Sequence, residues 1–467
     1  MGTNRRYSMS QEVNSIVSQV QQFRDGLVSP VDIAEQALNQ AKKATSLNAF
    51  VALNPDYVIE QAQASKTRRQ QGKALSAIDG IPIAVKDNFL TCDYPTTACS
   101  HANPRAEQEA DATIVSRLRA AGAVIMGKTN MHEWAYGATN TDSIYGPTLN
   151  PHNRAHIPGG SSGGSGAAVA AGIVGAALGS DTGGSVRIPA SACGVYGYKP
   201  TYGRASRHGV LALSWSLDAP GFLTRSLDDL PLLLPYMLGQ DKNDVSTAGA
   251  KPFGAIPELI NCRLLRLTGN GLECSQSVDE AIDEALGSLP YSMASYELSD
   301  MTSFFSAWEI ILHCEASSFH QERLKDNADL FGEVTQAHLL AGEKITGVEL
   351  LQAQRLRAEF THRLLNTLPS WDVLVLPTLP VTAPKFDQQT LHFGGRDVSM
   401  QDSMTWFCWL GNLAGLPCIS IPIANDDQGL PIGMMLMGKP GQDEALIAMA
   451  KKIDGIINYT QKVWKSW

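Results

Sequence analysis

The strongest constraint on the fold is a stretch dominated by glycine, serine and alanine at residues 159–194. Flexible linkers can have a similar composition. This stretch, however, contains a run of small apolar residues at 167–178, Ala-Ala-Val-Ala-Ala-Gly-Ile-Val-Gly-Ala-Ala-Leu, which we interpret as a helix fit for tight burial. We therefore predict that residues 159–194 form a buried active-site scaffold and not a solvated tether.

Strand and helix patterns alternate around this stretch. Apolar runs typical of strands lie at 81–85 and 123–126, with a helical pattern between them at 112–121. A long helical segment at 347–368 precedes two further apolar strands, at 373–376 and 418–422. This alternation predicts an α/β fold.

The first 75 residues have a different pattern. Apolar residues recur there at helical spacing from Val13 onwards, and Ser29-Pro30 is a typical helix start. We predict that residues 1–75 form a helical N-terminal section packed on a catalytic core of residues 76–467. A chain of 467 residues has room for about three domains of roughly 150 residues, but no linker separates them, and we expect one continuous domain.

Charge and composition restrict the class of partner. A net charge of -9 leaves no basic surface for nucleic acid. The sequence has no run of about 18 apolar residues that would span a membrane, and no apolar run of secretory length follows the two arginines near its start. The eight cysteines form no C-x-x-C pair and no group with histidines. We expect a cytoplasmic protein that binds a small molecule, with no disulfide and no metal.

One lysine and one serine have the right surroundings for a proton relay. Lys86 ends a buried apolar strand, where loss of solvation lowers the pKa of the amine and makes it a neutral base near pH 7. A serine is a poor nucleophile until a base takes its proton, and a second serine can relay that proton because a hydroxyl both donates and accepts. Ser161 is suited to this relay.

A second serine follows a tight turn. Thr182, Gly183 and Gly184 precede Ser185, and their backbone N–H groups, with that of Ser185, can converge on one point and stabilise an oxyanion. We predict Ser185 as the nucleophile. Three neighbours are predicted to order the site without reacting: Ser162, Asp181 and Arg187.

These segments together resemble the amidase signature family. The matching motifs are Ala-Val-Lys-Asp-Asn at 84–88, Gly-Gly-Ser-Ser-Gly-Gly-Ser at 159–165 and Asp-Thr-Gly-Gly-Ser at 181–185. In that family the relay serine is the first of the Ser-Ser pair and the nucleophile lies 24 residues on, which is the separation of Ser161 and Ser185. The resemblance covers roughly residues 25–450.

The resemblance implies a fold, a reaction and a division of the core. The fold is an amidase-signature fold with a central mixed β-sheet covered by helices on both faces. The reaction is cleavage of an amide or ureido C–N bond through an acyl-serine, with a Ser-cisSer-Lys triad, no cofactor and no metal. A cis peptide at Gly160–Ser161 or Ser161–Ser162 is implied. Residues 80–225 are the signature region, and residues 300–410 shape the substrate pocket.

Two other motifs point to different chemistry. Residues 122–129 match the phosphate-loop pattern G-x-x-x-x-G-K-T, but the apolar strand lies between the two glycines instead of before them, which argues against ATP binding. Residues 160–164 match G-x-S-x-G, which would make Ser162 the nucleophile of an α/β-hydrolase with His208 or His320 as base. Histidine substitutions would abolish activity only in that second case.

The sequence leaves three functions open: hydrolysis, acyl transfer to an amine in a biosynthetic pathway, and the role of a glutaminase subunit of glutamyl-tRNA amidotransferase. Relatives of the third kind hold glutamine with an aspartate and an arginine, but Thr405 stands at the aspartate position and the arginine has no clear counterpart. Arg355 and Arg357 are candidates for binding a carboxylate. His132 replaces an acidic residue common in relatives. A homodimer or a small partner subunit is compatible with the resemblance.

Overall fold

The computed structural model describes residues 15–103, 110–259 and 261–460. A central sheet of eleven strands has the order β1-β3-β2-β4-β6-β5-β12-β13-β9-β7-β8, and a separate hairpin pairs β10 with β11. The pairs β2/β3, β2/β4, β7/β8 and β7/β9 are parallel, and the other pairs are antiparallel. The predicted α/β fold with a mixed central sheet is confirmed. Val13 lies outside the described residues.

The strands are β1 (Phe50–Ala52), β2 (Pro82–Lys86), β3 (Val124–Thr129), β4 (Ala176–Asp181), β5 (Tyr196–Lys199), β6 (Ala219–Thr224), β7 (Arg263–Thr268), β8 (Ser292–Glu297), β9 (Val373–Pro377), β10 (Thr390–Phe393), β11 (Arg396–Ser399), β12 (Cys418–Asn425) and β13 (Pro431–Met437).

The α-helices are α1 (Ile16–Arg24), α2 (Pro30–Lys43), α3 (Pro55–Gln70), α4 (Thr113–Ala120), α5 (Gly163–Ala170), α6 (Arg187–Ala192), α7 (Leu230–Met237), α8 (Gln276–Gly287), α9 (Met301–Asn327), α10 (Glu333–Gly342), α11 (Gly347–His362), α12 (Met400–Thr405), α13 (Trp409–Leu413) and α14 (Asp443–Ile457).

Helices cover both faces of the sheet. Successive strand residues point to opposite faces, and in β9 the side chains of Val373 and Val375 join one apolar cluster while those of Leu374 and Leu376 join another. The first cluster includes residues of α4, α7, α8 and α14, and the second includes residues of α9, α11 and α13. Because both faces are buried, the central strands are continuous apolar runs, which is the pattern that the sequence shows.

The predicted helix at 167–178 is only partly correct. The structure has helix α5 up to Ala170 and strand β4 from Ala176. Gly172, with φ of +68°, ends the helix because this left-handed conformation suits glycine, and the N–H of Ile173 bonds back to the carbonyl of Ala168. Small apolar residues serve a buried helix and a buried strand equally well, so their composition did not reveal the boundary.

The N-terminal section, where it is described, contains helices α1, α2 and α3 and also strand β1, which pairs with β3 in the central sheet. Helix α2 begins at Pro30 behind a capping box in which Ser29 and Asp32 bond to each other's backbone N–H. Its buried residues Ala34 and Ala37 pack into one cluster with Met126 of β3. This section therefore shares a core with the sheet.

Residues 235–300, where the sequence shows only weak periodicity, contain β7, α8 and β8. Strand β8 lies at the edge of the sheet and is largely exposed, which explains the missing apolar pattern. Among the helices of the described ranges, none combines the length and the apolar character needed to cross a membrane.

Candidate active site

Lys86 and Asp181 lie close together, at the carboxyl ends of two neighbouring strands. Strands β2 and β4 are adjacent and parallel, and these two residues end them. Lys86 is fully buried. Its Nζ donates to Ser161 Oγ at 2.7 Å and to Ser180 Oγ at 2.9 Å. The structure thus joins the predicted base directly to the predicted relay serine.

Burial lowers the pKa of Lys86 to about 7, although the nearby carboxylates of Asp181 and Asp218 act to raise it. Removal of the amine from water disfavours its charged form. At neutral pH a large fraction of Lys86 is therefore uncharged and able to accept a proton.

The lowered pKa of Lys86 predicts the pH dependence of the reaction. The protonated amine cannot act as a base, so the rate of Ser185 modification by a neutral fluorophosphonate is expected to rise about tenfold per pH unit below about 7 and to level off above it. Burial also raises the pKa of Glu309 to about 7, so Glu309 could cause an inflection at the same pH. The pH profile is therefore repeated with Glu309→Gln. If the inflection belongs to Lys86, it persists in this variant. A rate that is flat or falls with rising pH would contradict this assignment.

Ser161 lies in a tightly held turn before α5. The peptide bond Gly160–Ser161 is cis, as the family resemblance implies. The carbonyl of Ser161 accepts from the N–H of His132 at 3.0 Å, and the N–H of Gly160 donates to the carbonyl of Ala138 at 2.6 Å. These bonds fix the hydroxyl of Ser161 against Lys86.

Ser185 follows the turn at the end of β4 and lines a pocket. Its carbonyl accepts from the N–H of Ser162 at 3.2 Å, which places Ser185 beside the Ser161 turn. The residue is 7% exposed, and its hydroxyl has no hydrogen-bond partner among the described residues. The structure therefore places Ser185 beside the turn of Ser161, which contacts Lys86, and in the wall of the pocket.

Asp181 anchors the turn that carries Ser185. Its Oδ1 accepts from the N–H of Gly184 at 2.9 Å and its Oδ2 from the N–H of Val186 at 3.2 Å. Gly184 has φ of +124°, and a side chain there would strike Cys408. Because the Gly184 N–H is engaged by Asp181, its predicted role as an oxyanion donor is corrected to one of holding the turn, and the candidate donors are the N–H groups of Thr182, Gly183 and Ser185.

A buried ion pair supports this anchor. Arg187 donates to Asp181 at 3.0 Å from Nε and 2.8 Å from Nη2, and both side chains are fully buried. Asn412 of α13 joins them, since its Nδ2 donates to Asp181 Oδ1 at 2.9 Å and its Oδ1 accepts from Arg187 at 2.6 Å. Burial acts to raise the pKa of Asp181, but Arg187 overcomes this and holds it at about 2. The pair lies directly behind the turn of residues 182–185, and its ordering role for Ser185 stays a prediction.

Loss of one partner in this pair is expected to be costly. Asp181→Asn leaves the Arg187 charge uncompensated inside the protein, and we expect a loss of about 3 to 5 kcal/mol in the free energy of unfolding, measured by urea denaturation. Asp372→Asn is the matched control. Its pair with Arg263 is 51% and 42% exposed on the two side chains, and such a pair contributes less than about 1 kcal/mol. Equal losses in the two variants would contradict the anchoring role.

The side chain and carbonyl of Thr182 are also fixed. Its Oγ1 donates to Asp218 Oδ1 at 2.6 Å, and its carbonyl accepts from Trp308 Nε1 at 3.3 Å. Fixed peptide groups are a requirement for an oxyanion site, because the donors must not reorganise when charge develops.

The pocket at Ser185 has a cavity volume of about 80 Å³. Its walls come from the turn of residues 182–185, from residues 135–138, from Leu213 and from the segment 308–405. The lining of the last segment includes Trp308, Glu309, Leu312, His313, His338, Gln401, Asp402 and Thr405. Half of the lining residues thus belong to residues 300–410, the region that the sequence predicts to shape the substrate pocket.

Sequence reasoning missed several residues at this site. Ser180 accepts from both Lys86 and, at 3.0 Å, Asn88 Nδ2. Asn88 lies within the matched motif at 84–88, and Ser180 directly precedes the motif that begins at Asp181. Their positions in or next to these motifs could have identified them as candidate site residues. Glu309 and Asp402 had no signal in the sequence, because only the tertiary fold places them at the pocket.

The α/β-hydrolase alternative finds no support in the geometry. Ser162 is buried and its hydroxyl donates to the carbonyl of Ser180 at 3.3 Å. His208 lies 3.3 Å from the hydroxyl of Thr113, and His320 packs edge-on against Trp134 at 4.3 Å between ring centroids. Neither histidine bonds to Ser162.

The phosphate-loop alternative is equally unsupported. Lys128 ends inside the core, where it pairs with Asp87 at 3.1 Å and donates to the carbonyl of Phe89 at 2.8 Å. Its amine is fully buried and committed to these partners.

The candidate carboxylate ligands lie elsewhere. Arg355 is exposed, and Arg357 donates to the carbonyl of Leu413 at 2.9 Å and to that of Ser216 at 2.8 Å. Neither lines the pocket. His132 is buried beside the relay turn, and burial lowers its pKa to about 3, so its ring is neutral.

The sequence matches the amidase family over residues 32–447. It is 36% identical to a glutamyl-tRNA(Gln) amidotransferase subunit from Symbiobacterium thermophilum, over 92% of this chain and 93% of that protein. The chain belongs to the amidase family, the amidase signature enzymes. As a member it is an enzyme of the hydrolase or amidotransferase type that acts on C–N bonds.

Two solved structures have the same fold. One, described as a vestigial protein complex that reveals the evolutionary origins of an s-triazine catabolic enzyme, is 32% identical with a TM-score of 0.89 over 94% of this chain and 98% of that one. The other, described as an amidase, is 29% identical with a TM-score of 0.86 over 94% of this chain and 99% of that one.

Proposed function

We propose that this chain is an amidohydrolase that cleaves the C–N bond of a small carboxamide or ureide through an acyl intermediate on Ser185. The observation that carries the proposal is the buried amine of Lys86, in contact with Ser161 next to a pocket that Ser185 lines. The family match supports the same class of reaction.

In the first step neutral Lys86 takes the proton of Ser161, and Ser161 takes that of Ser185, whose Oγ attacks the carbonyl carbon. The carbonyl oxygen becomes an oxyanion, held by main-chain N–H groups of Thr182, Gly183 and Ser185. The C–N bond then breaks, and the leaving nitrogen takes the proton back through Ser161. The products of this step are an amine or ammonia and acyl-Ser185.

In the second step a water molecule loses its proton to the same relay and attacks the acyl carbon. The bond to Ser185 Oγ breaks, Ser185 regains its proton, and a carboxylic acid leaves. An amine in place of water would give an amide product, which is the acyl-transfer alternative.

Hydroxylamine trapping tests the acyl intermediate. A panel of primary amides and ureides is incubated with the enzyme, and ammonia and acid are quantified with and without hydroxylamine. We expect a hydroxamate to form at the expense of the acid, with total ammonia unchanged or raised. Ammonia release with no hydroxamate from any substrate would count against an acyl-enzyme.

A glutaminase subunit of an amidotransferase is the second candidate, favoured by the 36% identity to such a subunit over most of both chains. In that case glutamine would be the preferred substrate and a partner subunit, or a second copy of the chain, would raise its turnover. Faster hydrolysis of other amides than of glutamine by the isolated chain distinguishes the first candidate from the second.

A further inference from the structure

Two carboxylates face the Ser185 pocket without a counter-charge. Glu309 of α9 and Asp402 of α12 both line it and both are half-buried. Neither side chain makes an ion pair or a hydrogen bond with any residue in the part of the chain that the structure describes. Two carboxylates of like charge in one pocket wall, with no counter-charge from the described chain, favour a cation from outside the chain.

The rest of the pocket supplies no positive charge. Among the described residues that line it there is no lysine and no arginine. The two lining histidines are neutral near pH 7, because burial lowers the pKa of His313 to about 4 and also lowers that of His338. Burial, and then the charge of Asp402, raises the pKa of Glu309. The two acids therefore repel each other across a site that a cation would neutralise.

The pocket lining also contains aromatic rings, which suit a cation as well. The hydroxyl of Tyr136 is hydrogen-bonded to His313 Nδ1, and the Tyr136 ring lies 5.0 Å from that of His338 between centroids. Nδ1 of His338 is buried without a partner among the described residues. Electron-rich ring faces and an unpartnered imidazole nitrogen attract ammonium groups.

We propose that the pocket selects amides or ureides whose far end carries an ammonium or another cationic nitrogen group, bound by Glu309 and Asp402. This inference rests on the function proposed above. An anionic end, by contrast, would enter a pocket of the same sign with nothing to pair with. The α-carboxylate of glutamine has the same difficulty here.

Calorimetric titration of Ser185→Ala, which binds without turnover, tests the inference. The probes are three amides of matched size: β-alaninamide, which is cationic, butyramide, which is neutral, and succinamate, which is anionic. We expect β-alaninamide to bind at least about tenfold more tightly than butyramide, and succinamate to bind most weakly. Sets with longer chains between the amide and the terminal group are measured in parallel.

The acid variants and their control complete the test. Glu309→Gln and Asp402→Asn, each made in the Ser185→Ala protein, should each reduce the preference for the cationic amide by about tenfold. Glu322→Gln removes the same charge from an exposed position of α9 and should leave the preference intact.

Different results would overturn the inferred preference for cationic amides and the proposed function. Equal binding of the three amides, preference for succinamate, or no binding of any cationic amide would overturn the inference, whether or not wild-type Ser185 reacts. Failure of wild-type enzyme to form any acyl intermediate would overturn the proposed function, even if the cation is bound.

Discussion

Replacement of Ser185 by alanine is expected to lower amide turnover by about 10⁴-fold or more while the fold stays intact. The hydroxyl is the atom that forms the acyl bond in our proposal. The other hydroxyls of the described pocket lining are hydrogen-bonded within the protein, namely those of Tyr136, Thr182 and Thr405. Ammonia release measures the loss, and circular dichroism with urea denaturation checks the fold.

Ser162→Ala is the matched control for this prediction. Ser162 is the neighbouring serine and the nucleophile of the α/β-hydrolase alternative, but its hydroxyl is buried and bonded to a carbonyl. Loss of one such hydrogen bond costs about 1 kcal/mol, and we expect at most about a tenfold decrease in rate. A large loss in Ser162→Ala with a small one in Ser185→Ala would reverse the assignment.

Replacement of Lys86 by methionine is expected to lower turnover by about 10³- to 10⁴-fold. Methionine keeps an unbranched side chain in the buried site but cannot accept the proton of Ser161. Stability should not fall greatly, because the change removes a buried amine that is desolvated in the native state. The rate of ammonia release above pH 8 is the measurement, since wild-type Lys86 is then deprotonated.

The double variant Lys86→Met with Ser185→Ala shows whether the two residues act as one unit. When one member of a catalytic unit is gone, the other has nothing left to assist, and the second substitution adds little. We expect the double variant to be no more than a few-fold slower than the slower single variant. Fully multiplicative losses would mean that Lys86 and Ser185 contribute to separate steps.

Much of the fold follows from residue patterns alone. Strands β2, β3, β9 and β12 are buried on both faces and are therefore continuous apolar runs, which can be recognised in the sequence. The boundary between helix α5 and strand β4 within residues 167–178 could not be predicted, because alanine and glycine do not distinguish a buried helix from a buried strand. Strand β8 could not be predicted either, because it is an exposed edge strand and lacks an apolar pattern.

The candidate site also contains both residues that the sequence predicts and residues that it does not. Lys86, Ser161 and Ser185 lie in compact motifs, so their proximity follows from local sequence and from the parallel pairing of β2 and β4. The engagement of the Gly184 N–H depends on where the Asp181 carboxylate turns, which the chain pattern does not encode. Glu309 and Asp402 come from helices distant in sequence, and only packing brings them to one pocket.

Peptide mapping after reaction with a neutral fluorophosphonate tests the central claim most directly, because it needs no knowledge of the substrate. Intact mass and fragment masses are compared for wild type and Ser185→Ala. Our account predicts one adduct per chain, located on Ser185 and absent from the variant. An adduct on Ser162, or an adduct that survives in Ser185→Ala, would contradict it.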